Sequence, residues 1–147
     1  MPSPTSRGPG PAAIFGLMLL VPTYVAASAT HGFGLRAGVA IPAGTRIWEF
    51  TPGVDLRFPP ETLSPIPGEL GEKLRMYCYE EPDGCLVLCG DNARFMNHSF
   101  EPNCDDVEGP YTLTLRAVDA GEELTCDYRL FDRWSALDGL ESWRRTG

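Results

Sequence analysis

Asn97, His98, Ser99 and Asn103 place many hydrogen-bonding groups inside the short stretch Arg94-Phe95-Met96-Asn97-His98-Ser99-Phe100-Glu101-Pro102-Asn103-Cys104. The stretch is too polar for a core strand and too apolar for a linker. Pro102 forbids a helix running through it. Its backbone and side chains must therefore face something other than a regular ladder. A second segment, Gly121-Glu122-Glu123-Leu124-Thr125-Cys126-Asp127-Tyr128, adds a phenol and two adjacent carboxylates. Adjacent carboxylates suggest acid–base work. The simpler role for Glu122 and Glu123 is to hold a neighbouring strand or loop. A third segment, His31-Gly32-Phe33-Gly34-Leu35-Arg36-Ala37, has glycines that let a backbone approach a ligand with no Cβ in the way. It is not a dinucleotide fingerprint. Gly38 comes one position too late, and Pro42 breaks the helix that should follow.

Together, in this order and spacing, the three segments resemble the signature motifs of the SET-domain protein-lysine methyltransferases. These are the Asn-His-Ser block, the Gly-Glu-Glu-Leu-Thr-x-Asp-Tyr block and the Gly-x-Gly strand. The resemblance runs from Thr23 to Phe131. It implies a mainly β fold, the SET-domain β-clip: small antiparallel sheets, a pseudoknot and a short C-terminal helix. In the pseudoknot the second motif threads beneath a loop near the Asn-His-Ser block, an exception to the rule against threading. The implied chemistry is methyl transfer from S-adenosyl-L-methionine to the ε-amine of a protein lysine. That is an in-line displacement, helped mostly by alignment and electrostatics. The amine must be neutral, and free lysine titrates near about 10.4. An apolar channel beside a cationic sulfonium lowers that value, and aromatic walls still tolerate the charge.

The resemblance also assigns roles. Tyr128 is the catalytic residue, its hydroxyl near the methyl-transfer centre and against the cofactor; the alternative is a tyrosine that only knits the knot. Asn97 binds the cofactor's amino-acid end through its side chain. His98 binds adenine through its backbone while its ring braces the knot. His31, Gly32, Phe33 and Gly34 cover the cofactor by backbone contacts. Tyr77 and Tyr79 fall where the family places a channel tyrosine, on one face of a strand, or else form a packed apolar pair. Cys126 stands where the family usually has Phe or Tyr, which leaves room for di- or trimethylation. The strand Cys85 to Leu88 lacks an aromatic that often lines the cofactor pocket, so cofactor affinity is expected to be modest. Arg36 is a carboxylate partner or, more simply, a solvated arginine. Phe100 replaces a zinc-binding Cys of many members, and no Cys-rich module follows. No metal is expected, and the aromatic tail packs in that place.

The chain has 147 residues, the length of one domain. Gly 16 and Pro 14 favour turns and short elements. A net charge of −8 disfavours direct nucleic-acid binding and suits a basic protein or peptide; the bland reading is solubility. Between Glu80 and Glu108 the acids Glu80, Glu81, Asp83, Asp91, Glu101, Asp105, Asp106 and Glu108 face a single base, Arg94, which favours the cationic substrate. Five cysteines with no Cys-x-x-Cys argue against a disulfide framework and a zinc site. Reduced, mostly buried thiols suggest a cytoplasmic protein.

Along the chain, residues 1–11 read as a disordered tail, 12–131 as the SET domain, and 132–147 as a helical segment packing on it. The apolar run Ala12 to Val21 has the size of a signal-peptide core but is too short to span a membrane, and no membrane association is expected. It equally suits a strand leading into the glycine motif. Strands are expected over 17–26, 45–50, 77–79, 85–89 and 111–117, a short helix over 69–77 and a helical turn over 92–96. A homodimer that completes a peptide groove is open. Two other readings compete with the enzyme: a weak or inactive SET-like module holding S-adenosylmethionine or a basic tail, and a non-methylating interaction domain. The presence of Tyr128 and Asn97 argues against the inactive module.

Overall fold

The computed structural model describes residues 19–105 and 111–132. The N-terminal tail, most of the apolar run and the expected C-terminal helix lie outside the described residues. What is described is mainly β, in three small sheets.

The first sheet has the order β1-β2-β10-β7, from β1 (Thr23–Ala27), β2 (Phe33–Ala37), β10 (Glu123–Cys126) and β7 (Asn97–His98). β1 and β2 form an antiparallel hairpin with Val25 opposite Leu35. Gly32, at φ 49°, takes the left-handed conformation in the bend between them. The second sheet joins β3 (Arg46–Glu49), β9 (Tyr111–Thr114) and β8 (Cys104–Asp105). The third joins β4 (Leu56–Phe58), β6 (Leu86–Leu88) and β5 (Cys78–Glu80), preceded by helix α1 (Gly68–Tyr77).

The core is where the first two sheets meet. Leu35, Ile47, Val118 and Leu124 are fully sealed there, with Met96, Cys104 and Cys126 among them. The alternation in β10 explains the burial: Leu124 and Cys126 face the core while Glu123 and Thr125 do not. α1 is different. None of its residues is fully buried, and Leu70 is 61% exposed. Leu74, Cys78, Leu63, Leu56 and Leu88 instead line a shallow apolar recess of about 390 Å³.

Several expectations shift. The first strand is shorter than 17–26; upstream of it Leu19 only bridges Trp48. The strand expected over 111–117 ends at Thr114. Tyr77 is the last residue of α1 and not part of the strand, so it does not share a strand face with Tyr79. The physical reason is that the i, i+3, i+4 pattern of α1 extends through Tyr77 before the backbone turns extended at Cys78. Only Cys104 and Cys126 are buried; Cys78, Cys85 and Cys89 are half-buried.

Candidate active site

β10 is the strand that assembles the site. On one side it pairs antiparallel with β2, Leu124 opposite Leu35. On the other it runs parallel to β7, Thr125 opposite Asn97 and Cys126 opposite His98. The two polar signature segments thus lie side by side, with the glycine strand on the other edge of β10.

Asn103 fixes that crossing. Its Oδ1 accepts from Thr125 N at 2.9 Å, and its Nδ2 donates to Glu123 O at 2.8 Å and Glu122 Oε2 at 3.1 Å. The carboxamide therefore pairs with the β10 backbone as another strand would, and it is fully buried. The sequence places Asn103 in the signature block but gives it no task; a lone Asn between Pro102 and Cys104 carries no sign of its distant partner.

Asn97 Nδ2 donates to His31 O and Phe33 O, both at 3.0 Å, and to Glu123 Oε2 at 3.2 Å. Its neighbour Met96 offers its carbonyl to the Tyr128 phenol, which donates to it. Consecutive residues thus tie the glycine bend to the phenol. Burial is the main cause that raises the Tyr128 pKa well above its ordinary value, reinforced by nearby Cys126, Asp132 and Glu123. The phenol stays a neutral donor at neutral pH.

His98 Nδ1 accepts from Tyr128 N at 3.1 Å, so that nitrogen carries a lone pair and not a proton. The 3.7 Å separation between Nδ1 and Asp127 Oδ1 is accordingly not an ion pair. Asp127 is served instead by Arg129, which donates from Nη2 at 2.6 Å and is the first cause of the lowered Asp127 pKa. Phe100 meets the His98 ring edge-on at 4.5 Å, and the Arg129 guanidinium lies over Phe100.

Tyr79 reaches the centre through Phe131: rings 5.2 Å apart for Tyr79–Phe131 and 5.7 Å for Phe131–Tyr128. Tyr77 contacts Phe95 instead, at 6.3 Å, and stands half-exposed. Cys126 lies in the core beside Met96 and Leu124. Phe33 is 64% exposed at the lip of the glycine bend.

Two electrostatic expectations change. Arg36 meets no carboxylate among the described residues; half-buried and still partly solvated, it donates to Gly121 O at 2.9 Å and Ala27 O at 3.0 Å. The acidic stretch is also partly used internally. Arg57 binds Glu81 at 2.6 Å and Asp83 at 2.5 Å, and Asp91 caps the helical turn Asn92–Phe95 through Ala93 N. Glu122 has the structural role expected of it, bound to Arg116 at 2.6 Å.

The chain's relatives can be set beside this geometry. A family model described as the SET domain matches residues 32–129. Histone-lysine N-methyltransferase ash1 of Drosophila melanogaster is 35% identical over 114 residues, covering 69% of this chain and 5% of that protein. Histone-lysine N-methyltransferase, H3 lysine-4 specific, of Emericella nidulans is 30% identical over 129 residues, covering 81% of this chain and 10% of that protein. The chain therefore spans a tenth or less of the length of these curated relatives. Among solved structures, a humanized mutant of Polycomb Repressive Complex 2 of Chaetomium thermophilum contains a similar fold. Its TM-score is 0.56 at 19% identity, covering 79% of this chain and 16% of that one. A candidate histone methyltransferase of Plasmodium falciparum has a TM-score of 0.54 at 20% identity, covering 74% of this chain and 93% of that one.

Proposed function

This chain belongs to the SET-domain family of protein-lysine methyltransferases, and from that membership we propose that it transfers a methyl group from S-adenosyl-L-methionine to the ε-amine of lysine in a basic protein or peptide. The observation that carries the reading is the Met96–Asn97 junction. It holds the Tyr128 phenol through one residue and the His31–Phe33 bend through the next.

The residues present suit an S-adenosyl ligand. Asn97 Oδ1 meets no protein donor among the described residues and is not sealed from solvent, so it is available to an ammonium. The bend at His31, Gly32, Phe33 and Gly34 offers backbone to the same ligand, and the His98 backbone is the expected adenine contact. When bound, the cofactor supplies an electrophilic methyl group. Tyr128 keeps its proton at Oη and orients the incoming amine. Tyr79, Phe131 and Tyr128 give that amine aromatic surroundings, which disfavour its charged form. Cys126 leaves more room than Phe or Tyr, so di- or trimethyl-lysine is the expected product. The reading carries with it a reducing compartment such as the cytoplasm, consistent with five cysteines that form no disulfide among the described residues.

The test is transfer of labelled methyl from S-adenosylmethionine to a basic peptide mixture by the full chain, followed by product mass. Labelled di- or trimethyl-lysine supports the reading. Absence of transfer despite cofactor binding favours a binding module, and strict monomethylation overturns the role given to Cys126.

A further inference from the structure

A carboxamide has an accepting end and a donating end of nearly equal size, and only the accepting end suits a ligand ammonium. At Asn97 three oxygens surround one end: His31 O, Phe33 O and Glu123 Oε2. The two backbone carbonyls belong to the same bend that the ligand touches, and they shift if it shifts. Glu123 is the acceptor from a different strand. It has a donor at each oxygen, Ser28 Oγ at 2.6 Å on Oε1 and Asn97 Nδ2 on Oε2. Ser28 Oγ in turn accepts from Thr30 N at 3.1 Å and His31 N at 3.3 Å. Of the two acceptors in reach of its own proton, the Thr30 hydroxyl at 2.9 Å and the charged Glu123 carboxylate at 2.6 Å, the carboxylate is the nearer and the stronger.

Room for that carboxylate comes from Gly34. A Cβ built there would lie 2.7 Å from Glu123 Cδ and 2.9 Å from both of its oxygens. Gly34 has no left-handed φ, so backbone conformation alone does not require a glycine. The Glu123 carboxylate lying against it does.

We propose that Glu123 is the positioning residue that orients the Asn97 carboxamide with Nδ2 inward, so that Oδ1 is offered to the amino-acid end of the S-adenosyl ligand, and that Gly34 is glycine to admit the Glu123 carboxylate. This rests on the functional reading above. Its chemistry makes a specific demand. Glutamine at position 123 has one acceptor to offer two donors. With Ser28 Oγ–H claiming it, the glutamine NH2 confronts Asn97 Nδ2 and pushes the carboxamide away, so that Oδ1 no longer sits where it meets an ammonium, while His31 O and Phe33 O still hold Nδ2 inward. Removing the Ser28 hydroxyl frees the glutamine oxygen for Asn97.

The experiment measures S-adenosylmethionine binding to the full chain by calorimetry, with thermal melting alongside. Glu123→Gln is expected to weaken binding about tenfold, the scale of one hydrogen bond to a charged group, and to raise the cofactor KM with little change in kcat. Ser28→Ala combined with Glu123→Gln is expected to bind tighter than Glu123→Gln alone, a coupling that two independent structural losses do not produce. Gly34→Ala, which crowds the carboxylate without changing its charge, is expected to weaken binding similarly and keeps the test alive if Glu123→Gln does not fold. Wild-type-like affinity in Glu123→Gln or Gly34→Ala, or a double variant weaker than Glu123→Gln, overturns the assignment while leaving the cofactor reading intact. Failure of the wild-type chain to bind overturns the cofactor reading itself, and this assignment with it.

Discussion

The sheet that carries Asn97 and the sheet beside α1 are held by different means. In the first, Asn97, His98, Asn103 and Asp127 are buried polar residues whose side chains bond the backbone of neighbouring segments, His31 and Phe33, Tyr128, Thr125 and Arg129 respectively. In the second, three strands of three residues each carry a helix with no fully buried residue. Its ion pairs, Arg57 with Glu81 and Asp83, lie on the surface, where solvent screening leaves them little to contribute. Buried polar networks specify one geometry, because each unmet group costs about 1–3 kcal/mol. The half of the molecule with the proposed chemistry is therefore preset. The half around α1, with fewer sealed contacts, has the lower local stability. One contact runs against this division: buried Asp55 takes Thr51 N at 2.8 Å and Gly90 N at 3.0 Å, pinning the loop before β4 to the end of β6.

The largest expected effect separates chemistry from packing within the preset half. Tyr128→Phe keeps the ring against Phe131 but loses the hydroxyl on Met96 O; labelled-methyl transfer should fall roughly 10²-fold or more, with a stability loss no larger than the about 1–3 kcal/mol of one unmet carbonyl. A large stability loss would mean that the phenol only knits the fold. Next, Asn103→Ala should cost about 1–3 kcal/mol in denaturant unfolding, because it strands Thr125 N and Glu123 O in the interior.

A smaller effect is acid sensitivity. Glu122 is held at about 2 against its ordinary 4.5, first by its bond to Arg116, then with help from Asp119 N and Asn103. A depressed folded value means that the unfolded chain binds more protons between those two pH values. The stability Glu122 contributes is present above pH 4.5 and is lost as pH falls toward about 2. Melting curves over that range should drop less steeply in Glu122→Gln than in the wild type. The smallest effect belongs to the other half: Leu70→Ser, at an exposed position of α1, should stay within about 0.5 kcal/mol. If it costs as much as Asn103→Ala, the contrast between the halves is wrong.

How much of this was legible in the sequence follows the same division. The motif residues Asn97, His98 and Tyr128 announce themselves by type and spacing, but their elements do not: Asn97–His98, read as too polar for a core strand and as facing no regular ladder, pairs parallel with β10, and Tyr128 opens a helical turn. Partners distant in sequence were hidden. Arg36 reads as a solvated cation until Gly121 O, 85 residues away, is brought beside it. Asn103 and Glu123 likewise acquire their roles only from the crossing of β7 and β10. The acids near Glu80 read as an open patch because a charge count cannot see Arg57 folding over Glu81 and Asp83. At Tyr77 the difficulty is local: tyrosine suits a strand, yet the helical period carries one residue further.

The seat of β10 between β2 and β7 has a consequence for how the protein is made. Ser28 and Glu123 stand 95 residues apart, and everything between them must be synthesised before their hydrogen bond can close. A nascent chain that has just released Asn97 from the ribosome carries a glycine hairpin whose second strand still has one unclaimed rim. Such late, long-distance closure makes folding slow and leaves an open strand that neighbouring chains can capture. A ligand that recognises the finished crossing cannot guide its early steps; it can only hold the product.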